Sequence, residues 1–326
     1  MTARRLGRYG LSWRLAWRLA WRLARRLPGL LLLAGAAMLA SFLASHALPG
    51  DPVLLMVDGR AADPEMIRRL REDAGLDQPM AVQFLSYTLA LLRGDLGQSL
   101  RYGGVPVTAL LGEALPVTLG LMAGAAVLAL PLGLLLGLAA ADVRRAWPGT
   151  ALTIGSVMAL SVPPLALATW LMLAGSGTAP WAVAALALPA VAMIARLTRT
   201  QVMEVLGRDF IRTAQAKGLG RTAVLLRHAL PNALVPLAAA AGSVAGTILT
   251  TTAAVETVFA LPGVGRLTIQ AVLARDHTVA GATVLVFVLM QIAISLTAEL
   301  LIGLADPRLR DNGLHDNGLR DDGKPS

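Results

Sequence analysis

Two lysines, four histidines and no cysteine narrow the chemistry open to this chain of 326 residues. Lys217 and Lys324 both lie outside any G-x-x-x-x-G-K-[ST] context, so the chain cannot cradle nucleotide phosphates in the P-loop manner. His46, His228, His277 and His315 fall on separate segments without metal-ligand spacing. Without cysteine there is neither a disulfide framework nor a thiolate metal site. Neither H-E-x-x-H nor G-x-S-x-G occurs; a membrane enzyme would need a paired nucleophile and base, and Ser161 and His228 are the residues whose replacement would test for one. Glu256 and Glu299 lie within or beside apolar runs, where a carboxylate must face protein or water. Glu299 sits seven residues before Asp306, about 10 Å along a helix. A structural pair with an interfacial arginine is expected there rather than a proton or cation relay, because no second intramembrane acid or lysine continues a chain.

The stretch with the most distinctive residue order is Arg212 to Pro236, "RTAQAKGLGRTAVLLRHALPNALVP". Periodicity predicts a helix from about Thr200 to Lys217, with Gly218 placed to end it. A second helix is expected from about Arg221 to Leu230, stopped by Pro231 and Asn232. Thr213, Ala214, Ala216 and Gly218 would give a smooth surface that a groove on another protein could grip, ringed by Arg212, Lys217 and Arg221. From the residues alone, a docking handle and a basic surface helix that only orients the protein fit equally well.

The elements that must position these residues are membrane spans. The chain is 56% apolar and 15% charged, with mean hydropathy +0.63. Six apolar runs approach the ~20 residues a helix needs to cross ~30 Å of hydrocarbon: about 29–48, 116–141, 150–174, 180–197, 234–257 and 279–304. The net charge of +9 is distributed by loop. Residues 1–27 hold eight Arg and no acid, 49–115 hold six Arg against nine acids, and 198–233 hold six Lys/Arg against two acids. The positive-inside rule reads this alternation as both termini cytoplasmic. The basicity is thus topological, and nucleic acid is not an expected partner.

An uncleaved signal anchor is expected at 29–48 rather than a cleavable signal peptide, because the apolar run exceeds a usual h-region. Before it, residues 1–28 carry "WRLAWRLAWRLA", read as a positive anchor that sets orientation, with a lipid-surface helix as the alternative. The loop 49–115 is long enough for a small extracytoplasmic helical subdomain. It begins with a helix capped by Asp63, opened by Pro64 and closed near Gly75, followed by a helix over 80–93 packed on the bundle. Pro131, Gly133, Pro163, Pro164, Pro189, Gly242 and Gly246 lie inside spans and hint at discontinuous helices along a path. Residues 308–326 repeat "DNGL" and read as a disordered tail.

The stretch "DFIRTAQAKGLGRTAVLLRHALPNALVPL" resembles the cytoplasmic signature loop of ABC-importer permeases of the dipeptide/oligopeptide/nickel family. Further matches are "LPGDPV", "GLDQPMAVQFLSYTLALLRGDLGQSL", "PVTLGL", "RLTRTQVMEVLGRDF", "VETVFALPGVGRLTIQAVLARDHTVAGATVLV" and "LADPRLR", in order over residues 30–310. Arg212, Thr213 and Ala214 stand where the general signature has Glu-Ala-Ala, as is common in the peptide branch. The resemblance implies an all-α polytopic fold of the type I importer permease, with a core domain over 116–307 and a coupling loop at 198–233. It implies that Arg212, Thr213, Ala214, Gln215, Ala216, Lys217, Gly218 and Leu219 form the coupling element. Glu256, Pro262, Gly263 and Gly265 would lie in an external shoulder, and Asp306-Pro307-Arg308 would end the last helix. The implied partners are a second permease subunit, two ABC ATPases and an extracytoplasmic solute-binding protein, in the bacterial inner membrane. No cofactor is expected on this chain; ATP and Mg belong to the ATPases. An ion-coupled secondary transporter is the alternative.

Overall fold

Apolar runs this long must satisfy their backbone groups internally in lipid, which leaves helices as the building unit. The computed structural model describes residues 28–29, 31–36, 38–39, 42–43, 64–73, 77–99, 101–141, 146–175 and 177–305. Among these no strand forms beyond an isolated antiparallel bridge between Gln98 and Pro106. The helices are α1 (Pro64–Asp73), α2 (Met80–Leu92), α3 (Val107–Ala140), α4 (Ala146–Ser161) and α5 (Pro164–Ala174). After them come α6 (Ala179–Leu206), α7 (Asp209–Ala216), α8 (Arg221–Val258), α9 (Val264–Leu273) and α10 (His277–Ala305).

Four helices, α3, α6, α8 and α10, are long and apolar enough to cross a membrane. The pair α4 and α5 would make a fifth crossing, and it is bent by 95°. The continuous span expected over 150–174 is therefore broken, and Pro163 and Pro164 are the cause. Pro163 holds φ −57° and ψ 136°, the extended geometry forced on a residue before proline, and neither ring nitrogen can donate to the preceding turn. The other expected proline breaks do not appear: α3 runs through Pro131 and α6 through Pro189, and Pro116 and Pro236 also lie inside continuous helices. The first expected span, 29–48, is described only in part, and its described residues are helical. The Trp/Arg arm, Asp63, Gly75, Asp306-Pro307-Arg308 and the tail lie outside the described residues.

The core is built on α3 and α6. Leu121, Ala125, Ala129, Gly133 and Gly137 of α3 are buried at a spacing of four, so they form one stripe. A Cβ on Gly133 would fall 2.6 Å from the Ile194 side chain, and one on Gly137 would fall 2.6 Å from the Ala195 carbonyl oxygen. These glycines let two backbones approach, the small-residue packing typical of helices in lipid. Helix α8 packs on α6 and α10, with Gly242 against Ala298 and Gly246 against Gln291. Gly133, Gly242 and Gly246 thus serve contact rather than breakage. An apolar cavity of about 330 Å³ lies among α3, α8 and α10, lined by residues including Met122, Gly242, Met290 and Ala298.

On α1, Glu65, Arg68, Arg69 and Glu72 are exposed, with Arg68 bonded to Glu65 and Glu72. The Arg68 guanidinium holds the Glu65 carboxyl below its ordinary value, and in open solvent such pairs add little stability. Helix α2, expected to pack on the bundle, has no buried residue. Its Phe84 and Tyr87 instead meet Phe42, with ring centroids 5.3 and 5.9 Å away.

Candidate functional site: a handle and a clasp at the two ends of one helix

The helix expected from Thr200 to Lys217 is two helices. Helix α6 stops at Gly207, Arg208 is extended (φ −79°, ψ 151°), and α7 starts at Asp209. With only eight residues, α7 cannot stand alone and must be held by packing. Ile211 and Ala214, one turn apart, supply that hold: they are buried in an apolar cluster with Val202, Val205, Val224, Ala229 and Ala233. The helix ends in a Schellman motif, in which the Gly218 N–H donates to the Gln215 carbonyl (2.9 Å) and the Leu219 N–H to the Ala214 carbonyl (3.4 Å). Gly218 sits at φ +78°, where any side chain is strained.

Seven of the eight expected coupling residues, Arg212, Thr213, Gln215, Ala216, Lys217, Gly218 and Leu219, are exposed and share this unit. Ala214 is the exception. It faces the core and so helps to anchor the helix. Arg212 pairs only loosely with Asp209, at 3.5 Å between exposed groups. Arg199 lies beneath this end, its Nε donating to the Ala140 carbonyl at the end of α3 (3.3 Å). A cation there also suits the negative end of the helix dipole.

From Gly220 the chain enters α8 and does not stop at Pro231. Proline carries no N–H, and the helix accommodates it by widening into a π turn over Leu225–Ala229, with the Leu230 N–H donating to Leu225. The Asn232 side chain donates to the His228 carbonyl (2.7 Å). One helix of 38 residues thus runs about 55 Å from the handle to Glu256.

At its far end Glu256 is fully buried. Its Oε1 accepts the Thr118 hydroxyl of α3 (2.6 Å), while Oε2 accepts the N–H groups of Gly265 (2.7 Å) and Arg266 (3.1 Å). Thr118 Oγ1 in turn accepts the Val264 N–H (2.9 Å). The first three N–H groups of α9 are therefore met by one hydroxyl and one carboxylate. A negative charge at a helix N-terminus is favoured by both the orphan donors and the dipole. The contact needs glycine: a Cβ on Gly263 would fall 2.1 Å from the Glu256 carboxyl carbon, and one on Gly265 would fall 2.4 Å from the Ala253 Cα. Of the four expected shoulder residues, Glu256, Gly263 and Gly265 are buried parts of this clasp, and Pro262 is exposed.

A second buried carboxylate, which sequence reasoning missed, lies past the other end of α9. Asp276 caps α10: its Oδ1 accepts the Val279 N–H (3.2 Å). Its Oδ2 accepts the Ser99 hydroxyl (2.5 Å) and the Arg101 N–H (3.1 Å). This latch fastens the segment before α3 to the α9–α10 turn. Gly97, at φ +79°, passes so near Thr278 that a Cβ would lie 2.7 Å from its methyl group. The cap signal was readable as an aspartate three residues before Val279 in "RDHTV"; Ser99 and Thr118 carried no local signal.

Among the described residues, no group of three or more His, Asp or Glu side chains could hold a metal. The Ser161 hydroxyl donates to the Val157 carbonyl of its own helix (2.7 Å). The arrangement is a helical membrane body with an exposed handle at one end and a locked joint at the other, the organisation of a transport subunit.

Sequence and fold comparisons place it further. Residues 129–311 match the family described as "Binding-protein-dependent transport system inner membrane component", and residues 19–121 match that system's N-terminal membrane component. The chain belongs to this family of ABC-importer permeases. A putative peptide transport system permease protein of Brucella abortus (strain 2308) is 36% identical over 292 residues, covering 83% of this chain and 92% of the relative. A glutathione transport system permease protein of Salmonella choleraesuis (strain SC-B67) is 36% identical over 283 residues, with 82% and 92% covered. A chain of a methionine ABC transporter in an inward-facing conformation shares the fold, with TM-score 0.50 at 22% identity, covering 61% of this chain and 96% of that one. The all-α importer permease fold and function hold, and the ion-coupled secondary transporter finds no support.

Proposed function

We propose that this chain is a translocating subunit for di- or oligopeptides or a related small solute, driven by ATPases that dock on α7. The observation that carries the reading is the two-sided construction of α7. Two inward side chains, Ile211 and Ala214, tie it to the core, while seven signature-loop residues stay exposed and lead straight into α8. A force applied at α7 would be passed along α8 toward the clasp. That is what a two-state bundle needs if a partner's closure is to bias it.

In this reading the chain is a multi-pass protein of the inner membrane, with both termini and α7 cytoplasmic. It pairs with a second permease subunit, two ATPases that bring ATP and Mg, and an extracytoplasmic solute-binding protein. The chain itself has no ATPase site and binds no cofactor. The relatives' peptide and glutathione systems support the solute class. The basic loop 198–233 supports the orientation.

The test is Ala216→Trp, which adds bulk to the exposed face and leaves Ile211 and Ala214 in place. Membrane insertion should persist while ATPase co-purification and uptake fall by about tenfold or more. If both survive, α7 is not the docking element.

A further inference from the structure

We propose that Ser243, Thr247, Thr250 and Thr257 of α8, joined by the Gln291 amide of α10, form a passage surface that hydrogen-bonds the main-chain N–H groups of an extended peptide. The proposal rests on the importer reading above, and it names the part of the solute that this permease touches.

The exposed faces of two spanning helices differ in kind. On α3, Leu119, Val127, Leu128, Leu132 and Leu135 are exposed, side chains that hydrocarbon favours. From Ser243 to Val258 on α8, the exposed residues are Ser243, Thr247, Thr250 and Thr257, with no large apolar side chain among them. Spacings of four, three and seven keep these four on one helical face. The other side of α8 supplies Val244, Ile248, Thr252 and Val255 to the buried interior. No charged residue lies between Leu230 and Val255, and Glu256 is committed to the clasp.

A hydroxyl donates one proton and can still accept. Thr247 donates to the Ser243 carbonyl (3.0 Å), Thr250 to the Thr247 carbonyl (3.0 Å) and Thr257 to the Ala253 carbonyl (2.7 Å). With their protons spent inside the helix, these three oxygens are left as acceptors. Gln291 adds an amide at the same stretch. It is half-buried against Gly246, where a Cβ would fall 3.0 Å from its Oε1, and it has no hydrogen-bond partner among the described residues. Gly246 lies three residues after Ser243 and four before Thr250, within the hydroxyl row. An amide left unmet inside a span is costly, so a polar solute passing there is favoured.

Acceptors call for donors, and that decides the occupant. A neighbouring spanning helix has used its backbone N–H groups internally, and a lipid tail has none. An extended peptide carries a main-chain N–H at every residue other than proline. From Ser243 to Thr257 the row is about 21 Å long, which matches about six residues of extended chain. Several neutral acceptors hold a passing chain weakly enough to release it.

The test uses the whole transporter in proteoliposomes with its binding protein, and two probes: trialanine, and trialanine methylated on both peptide nitrogens. T247V/T250V keeps the side-chain shape and removes two acceptors. Trialanine uptake should fall about tenfold, and uptake of the methylated probe by about twofold at most. Any preference of the binding protein cancels, because each probe is compared between permeases. T247S/T250S should restore trialanine uptake, and co-purification of the ATPases and of the second permease should persist in both variants. An equal loss for the two probes overturns the proposal, because the hydroxyls would then serve packing alone. So does loss of the second permease from T247V/T250V, which would assign the row to the contact between subunits. A wild-type transporter that takes up neither probe overturns the peptide reading and the row with it, while ATPase co-purification still judges α7.

Discussion

The two ends of α8 are built from different materials. At the clasp, α3, α8 and α9 meet on one buried carboxylate with three donors, and Gly263 and Gly265 allow no side chain into the contact. At the handle, α7 rests on two apolar side chains, and the side-chain hydrogen bonds of Arg212 and Thr213 stay within the helix. Charged hydrogen bonds in a dry setting are directional and costly to leave unmade, whereas apolar contact tolerates sliding. The clasp therefore fixes geometry, and the handle offers surface. A single helix links them, with a π turn close to the handle, where such turns often mark functional adjustments.

Four substitutions would break or sharpen that contrast. The largest effect is expected for Gly265→Val, since even its Cβ would overlap the Ala253 backbone, which cannot move aside as a flexible side chain could. Folded, monodisperse protein in detergent should be nearly lost, and a wild-type melting temperature would mean that the clasp is not rigid. Glu256→Ala comes next. It leaves the Thr118 hydroxyl and two N–H groups without their acceptor, at a cost of about 3 kcal/mol or more. Thermal unfolding of the purified permease reads this directly. Ser99→Ala removes the hydroxyl that donates to Asp276 and accepts the Tyr102 N–H, and should cost about 1.5–3 kcal/mol, with faster hydrogen exchange confined to residues around 97–106. Gly218→Ala should be mildest for stability. Nothing lies within 4 Å of the added methyl, so only the φ +78° penalty of about 1–2 kcal/mol remains. Its effect should concentrate on the handle, weakening ATPase co-purification by a few-fold while the melting temperature barely moves.

Hydropathy made the spans legible because lipid imposes one solution on long apolar runs, and Gly218 made the end of α7 legible because few residues fit φ +78°. Proline was harder to read. Pro163 with Pro164 broke a span, yet Pro231 did not, because the helix widens into a π turn over Leu225–Ala229 just before it and so runs on past the missing N–H. Ala214 turned out to face inward, because Ile211 and Ala214 share the apolar face of a short amphipathic helix. The i, i+3 spacing of Ile211 and Ala214 was the available clue. The clasp and latch were out of reach. Thr118 lies 138 residues from Glu256, and Ser99 lies 177 from Asp276, so only the packed structure brings them together.

The absence of native cysteine allows a background-free measurement of the central claim. Single cysteines at Ala216, on the handle, and at Pro262, beside the clasp, would be labelled with a water-soluble maleimide in the permease alone and in the assembled transporter. Ala216→Cys should react freely in the permease and be protected about tenfold or more once the ATPases are bound, while Pro262→Cys reacts equally in both. Equal labelling of Ala216→Cys with and without ATPases would contradict the assignment of α7 as the handle.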